Sequence, residues 1–219
     1  ADDAIVGVRI CSEDDDVMLA ARGGKCIRFQ APEVRLFKGR SSQGVRGIDL
    51  AEDDRVISMS ILDHLDITPE ERDGYFGRKR EGEVPNLEAE RRAEIVACEQ
   101  LLLTVRNDGL GKRSSSHDYR VTRRGGKGII NISLDKEIKV VAGFAVGDED
   151  EIMLVTDGGK VIRTPVGDIS RVGRSARGVT IFKLAKGEQV VSVARLDESL
   201  IGGSSEEDGE DAETMLGAP

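Results

Sequence analysis

Three arginine–glycine pairs recur along the chain with one spacing. In each pair the glycine follows the arginine by four residues: Arg40 and Gly44, Arg124 and Gly128, Arg174 and Gly178. A guanidinium group pairs with phosphates or carboxylates, and glycine lets the backbone approach an anion closely. One such pair alone is usually an ordinary turn. Three pairs in register predict a repeated anion-binding surface.

The pairs belong to three segments that align almost without gaps, beginning at Val17, Leu101 and Ile152. Each segment opens with an apolar run and a glycine turn, which is typical of a β-hairpin. Apolar residues then alternate with polar ones after the paired glycine, as in Ile48-Asp49-Leu50, and a β-branched pair such as Val56-Ile57 follows. Period two indicates half-buried strands. The sequence therefore predicts an all-β fold of propeller-like, four-stranded blades, one per repeat of roughly 45 to 50 residues.

We place the repeats at about 12–62, 97–147 and 148–196, with a helical insertion at 63–96. In the insertion, Thr68 is a candidate N-cap, Pro69 the first helical residue and Glu71 the partner in a capping box. A second helix is expected from Asn86, with Leu87, Ile95 and Val96 facing inward. We expect the insertion to be a surface elaboration. The start of the chain, "AIVGVRI", resembles the last strand of a preceding repeat.

Positive charge is concentrated at one place in each repeat. The chain has a net charge of −9, yet residues 22–46, 106–127 and 160–177 contain 19 of its 32 Lys and Arg residues and only four acids. Such a strip suits the phosphates of duplex DNA, contacted without regard to sequence, and the scarcity of aromatic residues disfavours single strands. The expected contacts are Arg28, Lys38, Arg40, Arg113, Arg123, Arg124, Lys127, Arg163, Arg171, Arg174 and Arg177, with Gly44, Gly128 and Gly178 as turn glycines.

Other chemistry finds little support in the residues. The stretch "RRGGKG" lacks the P-loop pattern G-x-x-x-x-G-K-[ST], and no nucleophile–base set recurs with the repeat, so we expect no catalytic residue. The three cysteines show no C-x-x-C spacing, are expected to be buried, and predict no metal site. Without an apolar span or signal sequence, a cytoplasmic protein that contacts no membrane is expected. Residues 197–219 carry eight carboxylates and no Lys or Arg, which predicts a disordered acidic tail.

The motifs resemble the C-terminal domain of the A subunit of bacterial DNA gyrase, a type II topoisomerase. "NDGLGKRSSSHDYRVTRRGGKGIINI" and "IMLVTDGGKVIRTPVGDISRVGRSARGVTIFKL" are similar to blades of that family, over about residues 4–62 and 97–196. The resemblance implies a β-pinwheel of six blades, of which this chain would hold the last three as a partial disc, followed by the acidic tail. The family's hallmark box has Gln where this chain has Thr122, so "RRGGKG" is a later, degenerate counterpart.

The resemblance also implies a noncatalytic module that wraps duplex DNA around a basic rim to support negative supercoiling. ATP would bind to the B subunit of gyrase, which the domain meets through the holoenzyme, and strand cleavage would use a tyrosine of the N-terminal part with magnesium. No cofactor is expected in this chain, and the isolated domain is expected to be monomeric. Two alternatives stay open: the equivalent domain of the A subunit of topoisomerase IV, and a propeller-like scaffold that binds proteins.

Overall fold

The computed structural model describes residues 4–196, and the predicted acidic tail lies outside these residues. The first repeat forms strands β1 (Asp15–Ala21), β2 (Lys25–Gln30) and β3 (Val56–Asp63). Helices α1 (Pro69–Tyr75) and α2 (Ala89–Ala97) follow. The second repeat contains β4 (Leu101–Arg106), β5 (Leu110–Ser115), β6 (Ile129–Ile130) and β7 (Val140–Val146), and the third contains β8 (Glu151–Thr156), β9 (Val161–Pro165), β10 (Val179–Thr180) and β11 (Val190–Leu196). A single 3₁₀ turn follows the hairpin of each repeat, at Ala31–Glu33, Ser116–Asp118 and Val166–Asp168.

Each of the later two repeats contributes one short strand to the sheet of the repeat before it, and we call β6 and β10 the exchanged strands. The sheets have the orders β3-β1-β2-β6, β10-β5-β4-β7 and β11-β8-β9. Strand β6 therefore completes the sheet of the first repeat, and β10 completes that of the second. The prediction of an all-β, propeller-like fold is confirmed, but the expectation that each repeat supplies all four strands of its own blade is corrected. The strands expected from alternation at 48–50 and at the equivalent 132–134 and 182–184 are also corrected. These residues form no strand, and β6 and β10 begin three residues earlier, directly after Gly128 and Gly178.

The cores lie within and between the sheets. Leu103 and Val105 of β4 pack in one cluster with Ile152 and Leu154 of β8, which joins the second blade to the third. A smaller cluster joins the first blade to the second through residues that include Met18, Cys26, Leu62, Leu102 and Tyr119. A third cluster, which includes Val17, Ile27 and Phe29, lies within the first repeat. The second blade thus packs against both neighbours, and burial of the apolar faces at these two interfaces depends on the adjoining blade.

The second repeat has a polar core where the other two have apolar side chains. Lys112, which corresponds to Ile27 and Ile162 in the aligned repeats, is fully buried. Its ammonium group donates to Ser114 Oγ at 3.0 Å, to Gly173 O at 3.1 Å and to Arg174 O. Nearby, the Tyr119 hydroxyl donates to Asn131 Oδ1 at 2.7 Å. All three ammonium protons therefore find acceptors, two of them on the third repeat, and a buried charge becomes tolerable.

The helical insertion begins as the sequence predicts. The Glu71 amide donates to Thr68 Oγ1 at 3.1 Å, and the Thr68 amide donates to the Glu71 carboxylate at 2.9 Å, which completes the capping box. The second helix starts at Ala89, three residues later than expected, and Ile95 is fully buried. The inward orientation predicted for Val96 is wrong, because its side chain is 54% exposed. Residues 4–12 are exposed and form no strand, unlike the expectation for "AIVGVRI".

Candidate nucleic-acid interface

Three loops carry eight of the eleven basic residues expected to contact DNA, and the other three lie on β2, β5 and β9. We call residues 35–44, 120–128 and 170–178 rim loops 1, 2 and 3. Rim loop 2 runs along the edge of β2, where the Thr122 amide donates to Arg28 O at 2.8 Å. Rim loop 3 runs along the edge of β5 in the same way, where the Val172 amide donates to Arg113 O at 2.9 Å. Rim loops 2 and 3 therefore lie against the blade of the preceding repeat.

The arginines of the second and third arginine–glycine pairs clamp their loops onto the preceding repeat. The backbone amide of Arg124 donates to the Glu33 carboxylate at 2.7 Å, and its guanidinium donates to Glu33 O at 3.1 Å and Arg46 O at 2.6 Å. Arg174 repeats this pattern on Asp118, with its amide at 2.7 Å from the carboxylate and its guanidinium donating to Asp118 O and Ile130 O. Both acids belong to a 3₁₀ turn. The recurring spacing is therefore explained first by the joining of repeats.

The paired glycines adopt a backbone conformation that other residues rarely occupy. Gly44, Gly128 and Gly178 have φ values of 76°, 67° and 93°. A Cβ atom on Gly128 would overlap Cys26 O, and one on Gly178 would lie 2.7 Å from Gly111 O. Each of these two glycines immediately precedes the exchanged strand, so it lets β6 or β10 approach the edge of the preceding blade. Around Gly44, by contrast, a Cβ atom would meet nothing within 4 Å.

Two of the expected phosphate contacts are buried between blades. Arg28 is 4% exposed and donates to the Asp16 carboxylate at 2.7 Å, to Ser116 O at 2.8 Å and to Asp63 O at 2.9 Å. Arg113 is 8% exposed, donates to Gly167 O at 3.0 Å and Ile169 O at 2.6 Å, and pairs with Asp148. Both side chains join one blade to the 3₁₀ turn of the next, and we do not carry them forward as DNA contacts.

Three more of the expected contacts are exposed but paired with acids. Arg163 forms an ion pair with Glu151, Arg171 with Glu99, and Arg177 with Asp135. These carboxylates neutralise the charge that rim loop 3 and β9 would offer to an anion. Sequence reasoning counted the arginines within each segment, whereas the neutralising acids lie outside the rim loops.

The remaining expected contacts lie on rim loops 1 and 2. Lys38, Arg40, Arg123 and Lys127 are exposed and form no ion pair within residues 4–196. Arg120, which the sequence analysis did not single out, is exposed beside them; its place in the basic segment 106–127 was the available signal. A groove of about 200 Å³ beside β2 is lined by Arg120, Arg123 and Lys127 among other residues. The strongest concentration of accessible, unneutralised positive charge in the second repeat is therefore rim loop 2.

The described residues show no arrangement for catalysis or metal binding. Tyr119 is buried, and burial raises the pKa of its hydroxyl. Within residues 4–196 no group of three or more His, Cys, Asp or Glu side chains is placed to hold a metal ion. Cys26 is buried as expected, Cys98 is partly buried, and Cys11 is exposed, contrary to expectation. In the same part of the chain no helix has the length and apolar character needed to cross a bilayer.

Comparison with known proteins agrees with the repeat pattern. The family model for the DNA gyrase C-terminal domain, described as a beta-propeller, matches residues 15–63, 101–146 and 150–197. The DNA gyrase A subunit of Granulibacter bethesdensis is 43% identical over 99% of this chain, and that of Rickettsia bellii is 43% identical over 97%. The Salmonella typhimurium protein of the same name is 35% identical over 90%. The chain spans only 26%, 24% and 18% of these three relatives, respectively.

Solved structures share the fold at lower identity. The C-terminal domain of DNA topoisomerase IV superimposes with a TM-score of 0.63 at 18% identity, covering 84% of this chain and 47% of that one. The C-terminal domain of E. coli ParC gives a TM-score of 0.56 at 15% identity, covering 85% and 64%. Because the segments matched by the family model span more than half of the sequence, the chain belongs to the DNA gyrase C-terminal domain family.

Proposed function

We propose that this chain is a noncatalytic DNA-binding module that bends duplex DNA along its rim loops. The observation that carries the proposal is rim loop 2, where exposed Arg123 and Lys127 border a groove and have no carboxylate partner within residues 4–196. Lys38 and Arg40 of rim loop 1 extend the same charge to the first repeat. Cations spaced along a curved edge attract phosphates without reading bases.

The clamping arginines support this role indirectly. Arg124 and Arg174 fix the position of their rim loops on the preceding blade, so the exposed cations are held at a set separation instead of moving independently. Such preorganisation lowers the entropy lost when a stiff duplex is bound. Arg28 and Arg113 act in the same way, because they join the blades that carry the loops. We infer that the buried arginines determine the curvature of the surface and the exposed ones bind DNA.

In the proposal, the module serves a type II topoisomerase that introduces negative supercoils. The relatives at 35–43% identity are named as A subunits of DNA gyrase, whereas the topoisomerase IV domain shares the fold at 18% identity, which favours gyrase over the topoisomerase IV alternative. Strand cleavage, magnesium and ATP, with the B subunit, would belong to other parts of a cytoplasmic holoenzyme. The described residues of this chain offer no ligand set for a metal, and no step is derived through one.

A topology assay tests the wrapping. The chain is incubated with relaxed circular DNA and a nicking-closing enzyme, and the linking-number change is read after removal of the protein. We expect a shift of one sign that grows with protein concentration, and a smaller shift for the double variant Arg123→Ala/Lys127→Ala. The matched control is Lys136→Ala/Lys186→Ala, which removes the same charge from exposed residues outside the rim loops.

The salt dependence of DNA binding gives the size of the effect expected for Arg123→Ala/Lys127→Ala. Each neutralised phosphate contributes about 0.9 to the slope of log affinity against log salt, so loss of two contacts lowers the slope by about 1.8 and the affinity at about 0.1 M salt roughly 60-fold. The control variant should retain the parental slope. Equal slopes for the two double variants, or a linking number that does not change despite binding, would exclude this function.

A further inference from the structure

The helical insertion is fixed to the second repeat at a cluster of arginines. Arg72 of α1 donates through Nε to His117 O at 2.9 Å, and the Arg78 guanidinium lies 2.7 Å from the Asp118 carboxylate. From α2, Ile95 O lies 2.7 Å from the buried imidazole of His117. Both helices are therefore attached to one 3₁₀ turn, the same turn that Arg174 clamps from the other side. The insertion is therefore held in a fixed position against the second repeat.

A groove lies between the insertion and the second repeat. It has a volume of about 310 Å³, and Arg28, Asp66, Arg72 and Arg120 are among its lining residues. Arg28 is already neutralised by Asp16, and Asp66, whose side chain is exposed, contributes one carboxylate to the lining. Arg120 is exposed and forms no ion pair within the described chain. Arg72 and Arg120 therefore bring two positive charges to the groove against the single carboxylate of Asp66, and the lining keeps an excess of positive charge.

Burial makes the charge of Arg72 costly. Desolvation lowers the pKa of its guanidinium, and the nearby cations Arg28 and Arg78 lower it further, while Asp118 opposes the effect. The Nε and one terminal nitrogen of Arg72 face backbone carbonyls, His117 O at 2.9 Å and Ile67 O at 3.4 Å. An anion entering the groove would compensate this desolvated charge.

The groove is continuous with the proposed DNA surface. Arg28 and Arg120 line both this groove and the groove beside rim loop 2 that contains Arg123 and Lys127. In the other direction, towards rim loop 3, Arg171 and Arg177 are neutralised by Glu99 and Asp135. The unneutralised charge of rim loop 2 therefore continues towards the insertion.

We propose that the helical insertion extends the DNA-binding surface, with Arg72 of α1 and Arg120 of the second repeat together holding one backbone phosphate of a duplex that passes over rim loop 2. The inference rests on the proposed function, since the phosphate belongs to the DNA that rim loop 2 binds. A phosphodiester fits the groove because it offers one negative charge and two accepting oxygens to two guanidinium groups. The insertion is then a contributor to the length of the DNA footprint.

The test measures duplex binding by fluorescence anisotropy as a function of salt. Arg120→Ala should lower the slope of log affinity against log salt by about 0.9 and the affinity at about 0.1 M salt roughly eight-fold. Arg120→Lys should restore the slope, because the charge is retained. Arg72→Gln should behave like Arg120→Ala, and the two together should cost less than their sum, since both contact one phosphate. Thermal denaturation of each variant confirms folding.

The control is Arg80→Ala, which changes another insertion arginine whose charge is neutralised by Glu70 at 2.9 Å; we expect the parental slope. If Arg120→Ala leaves the slope unchanged while Arg123→Ala/Lys127→Ala lowers it, the inference is overturned and the proposed function stands. If neither changes it, both are overturned. Calorimetry with inorganic phosphate separates the sources of the anion: phosphate binding that requires Arg72 and Arg120, combined with an unchanged DNA slope for Arg120→Ala, would assign the groove to a free anion and refute the inference.

Discussion

The three paired glycines provide a test of strand exchange within one chain. All three have positive φ, so replacement by alanine strains the backbone by about 1 kcal/mol at each position. Their surroundings differ. A Cβ atom at position 44 would enter open space, whereas one at position 128 would overlap Cys26 O and lie 3.0 Å from the carbonyl carbon of Cys26. Gly44→Ala is therefore the matched control for Gly128→Ala.

The expected magnitude follows from the overlap. Relief requires β6 to move away from β2, to which it is paired only through Ile129 with Cys26 and Ile130 with Lys25. Overpacking of this kind costs about 1–3 kcal/mol beyond the backbone strain. Gly178→Ala, with its Cβ atom 2.7 Å from Gly111 O, should behave like Gly128→Ala because β10 meets β5 in the same way.

Urea denaturation followed by circular dichroism measures the difference. With an m-value of about 2 kcal/mol/M, the midpoint of Gly128→Ala should fall about 1 M below that of Gly44→Ala. Gly178→Ala should fall by a similar amount. Equal midpoints for all three variants would refute the reasoning, since they would mean that close approach of the exchanged strand contributes nothing beyond the positive φ.

Two further predictions concern the lysine and arginines between blades. Burial lowers the pKa of Lys112 from 10.5 to about 8, so above pH 8 the unfolded chain binds more protons, and Lys112 should raise the free energy of unfolding by about 1 kcal/mol from pH 8 to 9. Burial raises the pKa of the Cys26 thiol to about 12, so the titration of Cys26 increasingly opposes this rise in unfolding free energy towards pH 9 and above. Urea titrations at each pH measure the rise, and Lys112→Met should abolish it. Arg113→Ala should destabilise the chain by about 3 kcal/mol, because two carbonyls of the third repeat lose their donor. Arg163→Ala, at a side chain that is 54% exposed, should cost less than about 1 kcal/mol. Similar losses for both variants in chemical denaturation would contradict the blade-joining role of Arg113.

The sequence predicted the strands of the hairpins better than the strands that follow the paired glycines, and better than the roles of the arginines. Alternation and glycine turns are local signals, and so is the capping box of Thr68 and Glu71, because each depends on residues close in sequence. The partners of Arg124 are not local: Glu33 lies 91 residues earlier, and only the fold brings them together. From composition alone, a clamping arginine and a phosphate-binding arginine look the same.

One signal of the ion pairs within the hairpins was present in the sequence. Arg28 follows Asp16 by twelve residues, and Arg163 follows Glu151 by the same interval. In the hairpin, Arg28 lies opposite Met18, so Asp16 is its diagonal neighbour on the adjacent strand. In the second repeat the position that corresponds to Asp16 is Leu101, which has no charge. Arg113 pairs instead with Asp148, which lies just before β8. That substitution could be recognised only in three dimensions.

The exchange of β6 and β10 has a consequence for how such an array can be changed by duplication or loss. In repeat proteins with self-contained units, one unit can be removed at the cost of its two interfaces. Here, excision of the third repeat would also take a strand from the second, and excision of the second would take one from the first. The boundary of each repeat in sequence therefore differs from its boundary in space. The gain or loss of one repeat therefore alters two neighbouring sheets at once.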